Sequence, residues 1–301
     1  MIHPPTLRAR LVLEVAAELA AADPFRHRVT VRFGNAEPPV VLSNSSTPDG
    51  IADVVAGTVT LATINPSAAL TIAFRGHPPF AGPQPVRTVA VMPSRDGLVF
   101  AMHPRTGVHA LEDLATAARP LTIAVRGEAA HALHAILDDV LAAAGSARET
   151  LAARGFRFER TGGVPMPESA KFRALAAGDI DGIFDEGADE WLPAALEAGM
   201  TVFGISEPAV ARLEALGYRR TLLERQRYPR LEHDLLTLDF SGWAVFVHAQ
   251  AADDLVERVC AALDARKATI AWECRNTPDA PYDVPLHPAA ERFWRSRGYL
   301  A

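Results

Sequence analysis

The sequence predicts an α/β protein built as two lobes, and three observations carry that prediction. The 301-residue chain is 49% hydrophobic, enough to bury two cores rather than one. Apolar and β-branched runs of strand length alternate with amphipathic stretches, the pattern of a mainly parallel sheet covered by helices. Four of those runs end on clusters of small polar or charged residues.

Taken in order, Leu11, Val12, Val15 and Leu19 fall on one helical stripe, with Thr6 placed to cap it and Asp23-Pro24 to stop it. Val29–Phe33 and Val40–Leu42 read as strands, Gly50–Ala56 as a short helix and Thr58–Ile64 as the next strand. A Pro/Gly-rich stretch from His77 to Pro85 separates this block from Val86–Met92 and Gly97–Met102, which have the look of strands crossing between lobes. Glu112–Ala118 is a short helix, Leu121–Val125 a buried strand, and Ala129–Ala144 an amphipathic helix ended by Gly145. Ile180–Phe184 is a strand, Glu190–Ala198 a helix and Thr201–Gly204 a return to the sheet. Leu235–Val247 is the longest strand-like run, and Asp253–Lys267 a helix.

Several classes fall away on composition. A net charge of −6 argues against a partner held by its phosphate backbone, so no nucleic acid is expected. Cys260 and Cys274 are the only cysteines, which supports neither a disulfide framework nor a cysteine metal site. Nowhere do eighteen apolar residues run together, so no membrane insertion is expected. The N-terminus lacks a basic region and a signal-peptide core, so the chain as written is expected in the cytoplasm, or in the periplasm if a leader lies upstream. There is no nucleophile elbow, dinucleotide fingerprint or phosphate loop, and no cofactor is expected.

Ligands of open α/β sheets bind beyond the carboxyl ends of the strands, where helix N-termini offer free N–H groups. The residues at those ends are Ser43, Asn44 and Ser45, then Asn65 and Ser67, then Arg126-Gly127-Glu128, then Asp185-Glu186. Each cluster alone is also ordinary turn and cap chemistry. Asp185 and Glu186, as neighbours at a strand end, are expected to point to different sides, one toward the ligand and the other capping the next helix. His131 lies one turn into the helix after Arg126. It forms either a metal site or an acid/base pair with Asp185 or Glu186, or is plain helix surface; His134, three residues on, lacks the flanking carboxylate of a metal motif. Ser241 and Trp243, within Asp239-Phe240-Ser241-Gly242-Trp243, offer a hydroxyl and a stacking wall, or Trp243 simply fills a core.

The closing segment Val284-Pro285-Leu286-His287-Pro288-Ala289-Ala290-Glu291-Arg292-Phe293-Trp294, ending Gly298-Tyr299-Leu300, resembles the C-terminal signature of TAXI-type solute-binding proteins of TRAP transporters. Asp49-Gly50-Ile51 through Ala62, Gly107–Leu114 and Gly178–Phe184 resemble other stretches of that family. The resemblance implies a type II periplasmic-binding-protein fold, with lobe I from residues 1–100 and 235–301, lobe II from 101–234, crossings at Gly97–Met102 and Thr237–Val247, and a ligand cleft between the lobes. Family members begin with a signal peptide, a strand and a Gly-rich ligand loop; here the chain opens on the following helix, so that first loop is missing or rebuilt.

Where the family has a small Gly/Ser-rich loop in its second lobe, this chain has Arg126-Gly127-Glu128. Arg126 either grips a ligand carboxylate bidentately or braces the lobe through Glu128 or Asp185. Two function classes follow. One is a binding module for a small organic acid or amino acid, partnered by a TRAP membrane subunit if exported. The other is a cytoplasmic decarboxylase or other lyase on the same fold, using His131, Asp185 and Glu186. A regulatory protein presenting its closed form to a partner is a third.

Overall fold

The computed structural model describes residues 15, 26–32, 38–267 and 282–300. The helix expected over Leu11–Ala22, apart from Val15, and Cys274 lie outside the described residues. The chain divides into two compact units, one of residues 1–76, 82–94 and 242–301, the other of residues 77–81 and 95–241. Apart from the short 77–81 segment, the passages between them fall at Ser94–Arg95 and Ser241–Gly242.

The first unit holds strands β1 (Arg26–Val31), β2 (Val40–Ser45), β3 (Leu61–Ile64) and β4 (Val86–Met92), with helices α1 (Pro48–Val55) and α2 (Ala68–Arg75). In the second are β5 (Val99–Met102), β6 (Thr122–Val125), β7 (Arg157–Arg160), β8 (Gly182–Asp185) and β9 (Thr201–Phe203). A hairpin, β10 (Arg220–Leu223) and β11 (Leu235–Leu238), follows, and helices α3 (Leu133–Ala143), α4 (Arg148–Ala153), α5 (Ala170–Ala177), α6 (Ala188–Glu197) and α7 (Glu207–Leu216) complete that unit. The chain returns to the first unit for β12 (Trp243–His248), α8 (Asp253–Arg266) and α9 (Pro288–Ser296). The helix expected over Glu112–Ala118 is a 3-10 turn, Leu111–Thr116.

The two five-stranded sheets share a plan. Their orders are β1-β2-β3-β12-β4 and β7-β6-β8-β5-β9. In each, the fourth position is taken by the strand formed just after the chain crosses into that unit, running antiparallel to both neighbours. That insertion makes the sheets mixed rather than mainly parallel. Only β2 and β3 pair parallel in the first sheet, because β1 is a hairpin partner of β2; in the second, β6 runs parallel to β7 and β8.

The long strand expected over Leu235–Val247 is two strands of two different sheets. β11 ends at Leu238 and β12 begins at Trp243. Between them Gly242 takes a φ of +85°, and a Cβ there would lie 2.9 Å from Val91 Cγ1. The chain bends where only glycine fits without strain. The run expected to cross at Gly97–Met102 likewise becomes β5, wholly inside the second unit. Gly97 forms an isolated bridge with Asp239, so the two linking segments pair with each other.

Ala244 to Val247 are buried, which is why β12, covered on both faces, reads as a continuous apolar run. In the first unit Val89, Val245 and Val247 pack with Val256 and Cys260 of α8 and Ala289, Ala290 and Trp294 of α9. The Trp294 indole donates to Val89 O at 2.7 Å, and His287 caps α9 by accepting from Ala289 N. The C-terminal block that carries the family resemblance is therefore an anchor of the sheet. The core of the second unit gathers Val99, Ala124, Leu175, Ile183, Trp191 and Leu192.

Candidate functional site

Of the sequence-named residues, the structure brings Arg126, His131, Asp185 and Glu186 together in the second unit. β6 and β8 are parallel neighbours, so the residues just past their carboxyl ends meet. The loop after β6 is fixed by Gly127, whose N–H donates to Gly162 O at 2.8 Å; a Cβ would stand 2.6 Å from that oxygen. This holds the backbone that presents Arg126.

Arg126 places Nε 3.0 Å and Nη2 2.7 Å from Asp185 Oδ1, and Nη2 3.0 Å from Glu186 Oε1. The Arg126 and Asp185 side chains are 4% and 0% exposed, so this is a buried brace with Asp185 and Glu186, not with Glu128. The two carboxylates do not point apart: Glu186 lies past the end of β8, where strand alternation no longer applies, and both reach the same guanidinium. The N-terminus of α6 is capped instead by Asp96, which accepts from Gly187 N and Ala188 N at 3.0 Å.

His131 is buried, not helix surface. Its Nδ1 accepts from Leu133 N at 3.2 Å, which puts the ring proton on Nε2, 3.7 Å from Glu186 Oε1. Among the described residues no three His, Cys, Asp or Glu side chains gather as a metal site.

Two further members were not singled out in the sequence. Lys171 of α5 donates to Asp185 Oδ2 at 2.8 Å and to Val125 O at 3.3 Å. Its signal is spacing: four residues before buried Leu175, it sits on the apolar face of its helix. Asp96 sits among ordinary turn residues, Pro93 to Gly97, and carries no sequence mark.

Burial sets the protonation of this group. It drives His131 down to about 3, helped by Arg126, so the imidazole is neutral. It drives the Glu186 carboxyl up to about 8 against the pull of Arg126, so this acid is largely protonated at neutral pH. Burial lowers the Lys171 ammonium despite Asp185. For Arg126 burial is outweighed by Asp185 and Glu186, and the guanidinium stays charged. A neutral acid beside a neutral imidazole, braced by an Arg–Asp–Lys triad, is a tight polar core with little solvent access.

The first unit gathers a separate, uncharged group at the carboxyl ends of its parallel pair. β2 extends through Ser45, so Ser43, Asn44 and Ser45 lie within the strand rather than after it. Ser43 Oγ donates to Asn44 O at 3.2 Å, and buried Ser45 accepts from Thr47 N at 3.0 Å. Asn65, half-buried after β3, donates its N–H to Ser45 O at 3.0 Å. Buried Ser67 stands at the start of α2, its carbonyl accepting from the Tyr282 hydroxyl. Trp243 at the head of β12 is 39% exposed and fills no core. Ser241 belongs to the second unit: its Oγ accepts from Asp96 N at 3.0 Å.

No protein-family model and no curated protein matches the sequence. Solved structures do. The periplasmic aliphatic sulphonate-binding protein of Escherichia coli is 12% identical over 73% of this chain and 59% of its own, with a TM-score of 0.35. The alkanesulfonate-binding protein of Xanthomonas axonopodis is 13% identical over 84% of this chain and 66% of its own, with a TM-score of 0.33. A binding-protein component of a Pseudomonas aeruginosa phosphonate transporter is 15% identical over 77% and 64%, with a TM-score of 0.36. This chain spans less than two thirds of the length of each of the three.

Proposed function

We propose that this protein is a solute-binding module for a small organic acid or amino acid. The observation that supports the reading best is architectural: apart from the short 77–81 segment, the chain passes from one α/β unit to the other at Ser94–Arg95 and returns at Ser241–Gly242, and each unit ends its central parallel strands on a polar cluster. That is the organisation the TAXI-type resemblance implies. Asn44, Asn65 and Trp243 are the side chains we assign to the solute, as polar and aromatic groups not closed into a core. We assign Arg126 no direct grip on the solute, since the edge bearing Nε and Nη2 is taken by Asp185 and Glu186. If the protein is exported, its partner is a TRAP-type membrane subunit; kept in the cytoplasm, it would sense the solute.

One observation favours the lyase reading: a carboxyl group held protonated near neutrality next to a neutral imidazole is suited to general acid/base work. Against it, His131 and Glu186 are both buried.

A thermal-shift screen against aliphatic and aromatic carboxylates and amino acids, with mass spectrometry of each stabilising compound after incubation, separates the two. Solute at a hundred times its dissociation constant adds about 2.7 kcal/mol, a shift of several degrees. The expected result is an unchanged compound whose stabilisation is lost in Asn65→Ala and Trp243→Ala. Loss of carbon dioxide or water from the compound would establish the lyase. No stabilisation by any acid or amino acid would end the organic-acid reading.

A further inference from the structure

We propose that the loop after β7, from Arg160 to Ser169, is the element of the second unit that contacts the solute, with Arg160 holding an anionic group and Met166 an apolar body. The proposal rests on the solute-binding reading and narrows it to acids that carry an apolar body. At the carboxyl ends of β6 and β8 the charged group itself is closed: the side chains of Arg126, His131, Asp185 and Glu186 are at most 4% exposed. The loop lies against both strand ends. Thr161 N donates to Val125 O at 3.2 Å, and Gly162 O accepts from Gly127 N, next to Arg126. Val164 packs on Gly187, next to Glu186, so closely that a Cβ on Gly187 would stand 2.8 Å from Val164 Cγ1. The loop is thus the exposed structure that a solute at this end of the sheet would meet.

Arg160 is the last residue of β7 and stands level with Val125, the residue before Arg126. It is exposed, and its guanidinium bonds to no described residue. Among the described arginines of this unit only Arg225, in the loop between β10 and β11, shares that condition. The others hold carboxylates or carbonyl oxygens, as Arg148 holds Asp138, Arg154 the carbonyl of Leu114 and Arg173 that of Glu168. Arg160 lies near His134 at the start of α3 together with Arg148, whose charge is already paired. An open guanidinium fork is suited to take a carboxylate by two parallel hydrogen bonds.

Met166 is 36% exposed although its backbone is fixed on both sides, its N–H donating to Val164 O and its carbonyl accepting from Ser169 N, both at 2.8 Å. Val29 and Leu222, also exposed, lie mid-strand in β1 and β10. Met166 and Trp243 instead stand beside the ends of central strands, Trp243 one residue before Ala244, the partner of Ile64 at the end of β3. Each unit therefore offers one large apolar side chain to water where its polar cluster lies. A thioether adapts to irregular apolar shapes, and each methylene it covers is worth about fourfold in affinity.

Calorimetric titration of the whole protein with straight-chain monocarboxylates from butyrate to octanoate, and with alanine, norvaline and norleucine, tests the pair. Affinity should climb about fourfold per added methylene. Hexanamide, which lacks the charge, should bind roughly tenfold more weakly than hexanoate. In Arg160→Gln the preference for hexanoate over hexanamide should shrink below about threefold, and Arg160→Lys should recover part of it. In Met166→Ser the step per methylene should fall below about twofold, while Met166→Leu keeps it. Both positions are exposed, so the variants should melt within about two degrees of the wild type. Acids that bind the wild type with no gain along the series, or variants that keep both the charge preference and the chain-length step, would overturn the subsite and leave the solute-binding reading standing. Binding of no acid or amino acid at all would remove that reading and the subsite with it.

Discussion

Glu186 shows what burial does to a single residue and how to measure it. Its carboxyl is raised from 4.5 to about 8, so the folded state keeps a proton that the unfolded state releases, and stability falls as pH rises through that window. His131 works the other way: lowered from 6.5 to about 3, it makes the fold less stable as pH drops below 6.5. Asp96, raised from 3.8 to about 6, destabilises with rising pH only up to about 6. Between about pH 7.5 and 8.5, where the His131 and Asp96 differences have faded, Glu186 alone of these three contributes an appreciable slope. Glu186→Gln keeps the shape of the neutral acid and removes its titration. Urea unfolding should show the wild type losing stability from pH 7.5 to 8.5, at up to ~1.4 kcal/mol per pH unit, and the variant losing far less. Equal slopes would mean Glu186 is ionised in the fold. Lys171→Met should cost about 3 kcal/mol in the same assay, because it strips a partner from buried Asp185. A loss under 1 kcal/mol would show that Arg126 alone satisfies that carboxylate. Arg126, Asp185 and Glu186 were legible in the sequence because strand ends mark where such residues converge. Lys171 hid in a helix whose composition looks like surface, and Asp96 in a turn.

At the scale of elements, strands with apolar runs were readable and those without were not. β7, Arg-Phe-Glu-Arg, is an edge strand and carries the charges edges carry, so nothing in it announces a strand. β11 and β12 were fused into one run because Asp239 to Gly242 is short and includes apolar Phe240. Gly242 is the residue that parts them, and its φ of +85° predicts the effect of a side chain. Gly242→Ala should destabilise by about 1–3 kcal/mol, from the positive φ and the clash with Val91 Cγ1. Gly57→Ala is the control: it shares a φ of +73° but has nothing within 4 Å, so its cost should be about 1–2 kcal/mol and measurably smaller. Equal costs in thermal melts would mean the chain yields at Val91 and the bend is not tightly set.

Across the whole molecule, two lobes were legible from length and alternation, and the long passages between units fall at Ser94–Arg95 and Ser241–Gly242. Those passages decide which pieces can fold alone. Residues 95–241 contain all of β7-β6-β8-β5-β9, the β10–β11 hairpin, helices α3 to α7 and the core around Trp191, and lack only the short 77–81 segment of their unit. Residues 1–94 contain β1 to β4 but not β12, the strand that lies between β3 and β4 and bonds to both. They also lack α8 and α9, and with them Val256, Cys260 and Trp294 from the core. Without β12 two strands lose their neighbour at once and the apolar face of the sheet is left uncovered, so little of the entropy cost of ordering the chain is offset. The fragment 95–241 should therefore melt cooperatively by circular dichroism. Residues 1–94 should show no cooperative transition until residues 242–301 are added in trans. A cooperative melt of residues 1–94 by themselves would mean that β12 joins a sheet already formed, rather than completing one that cannot form without it.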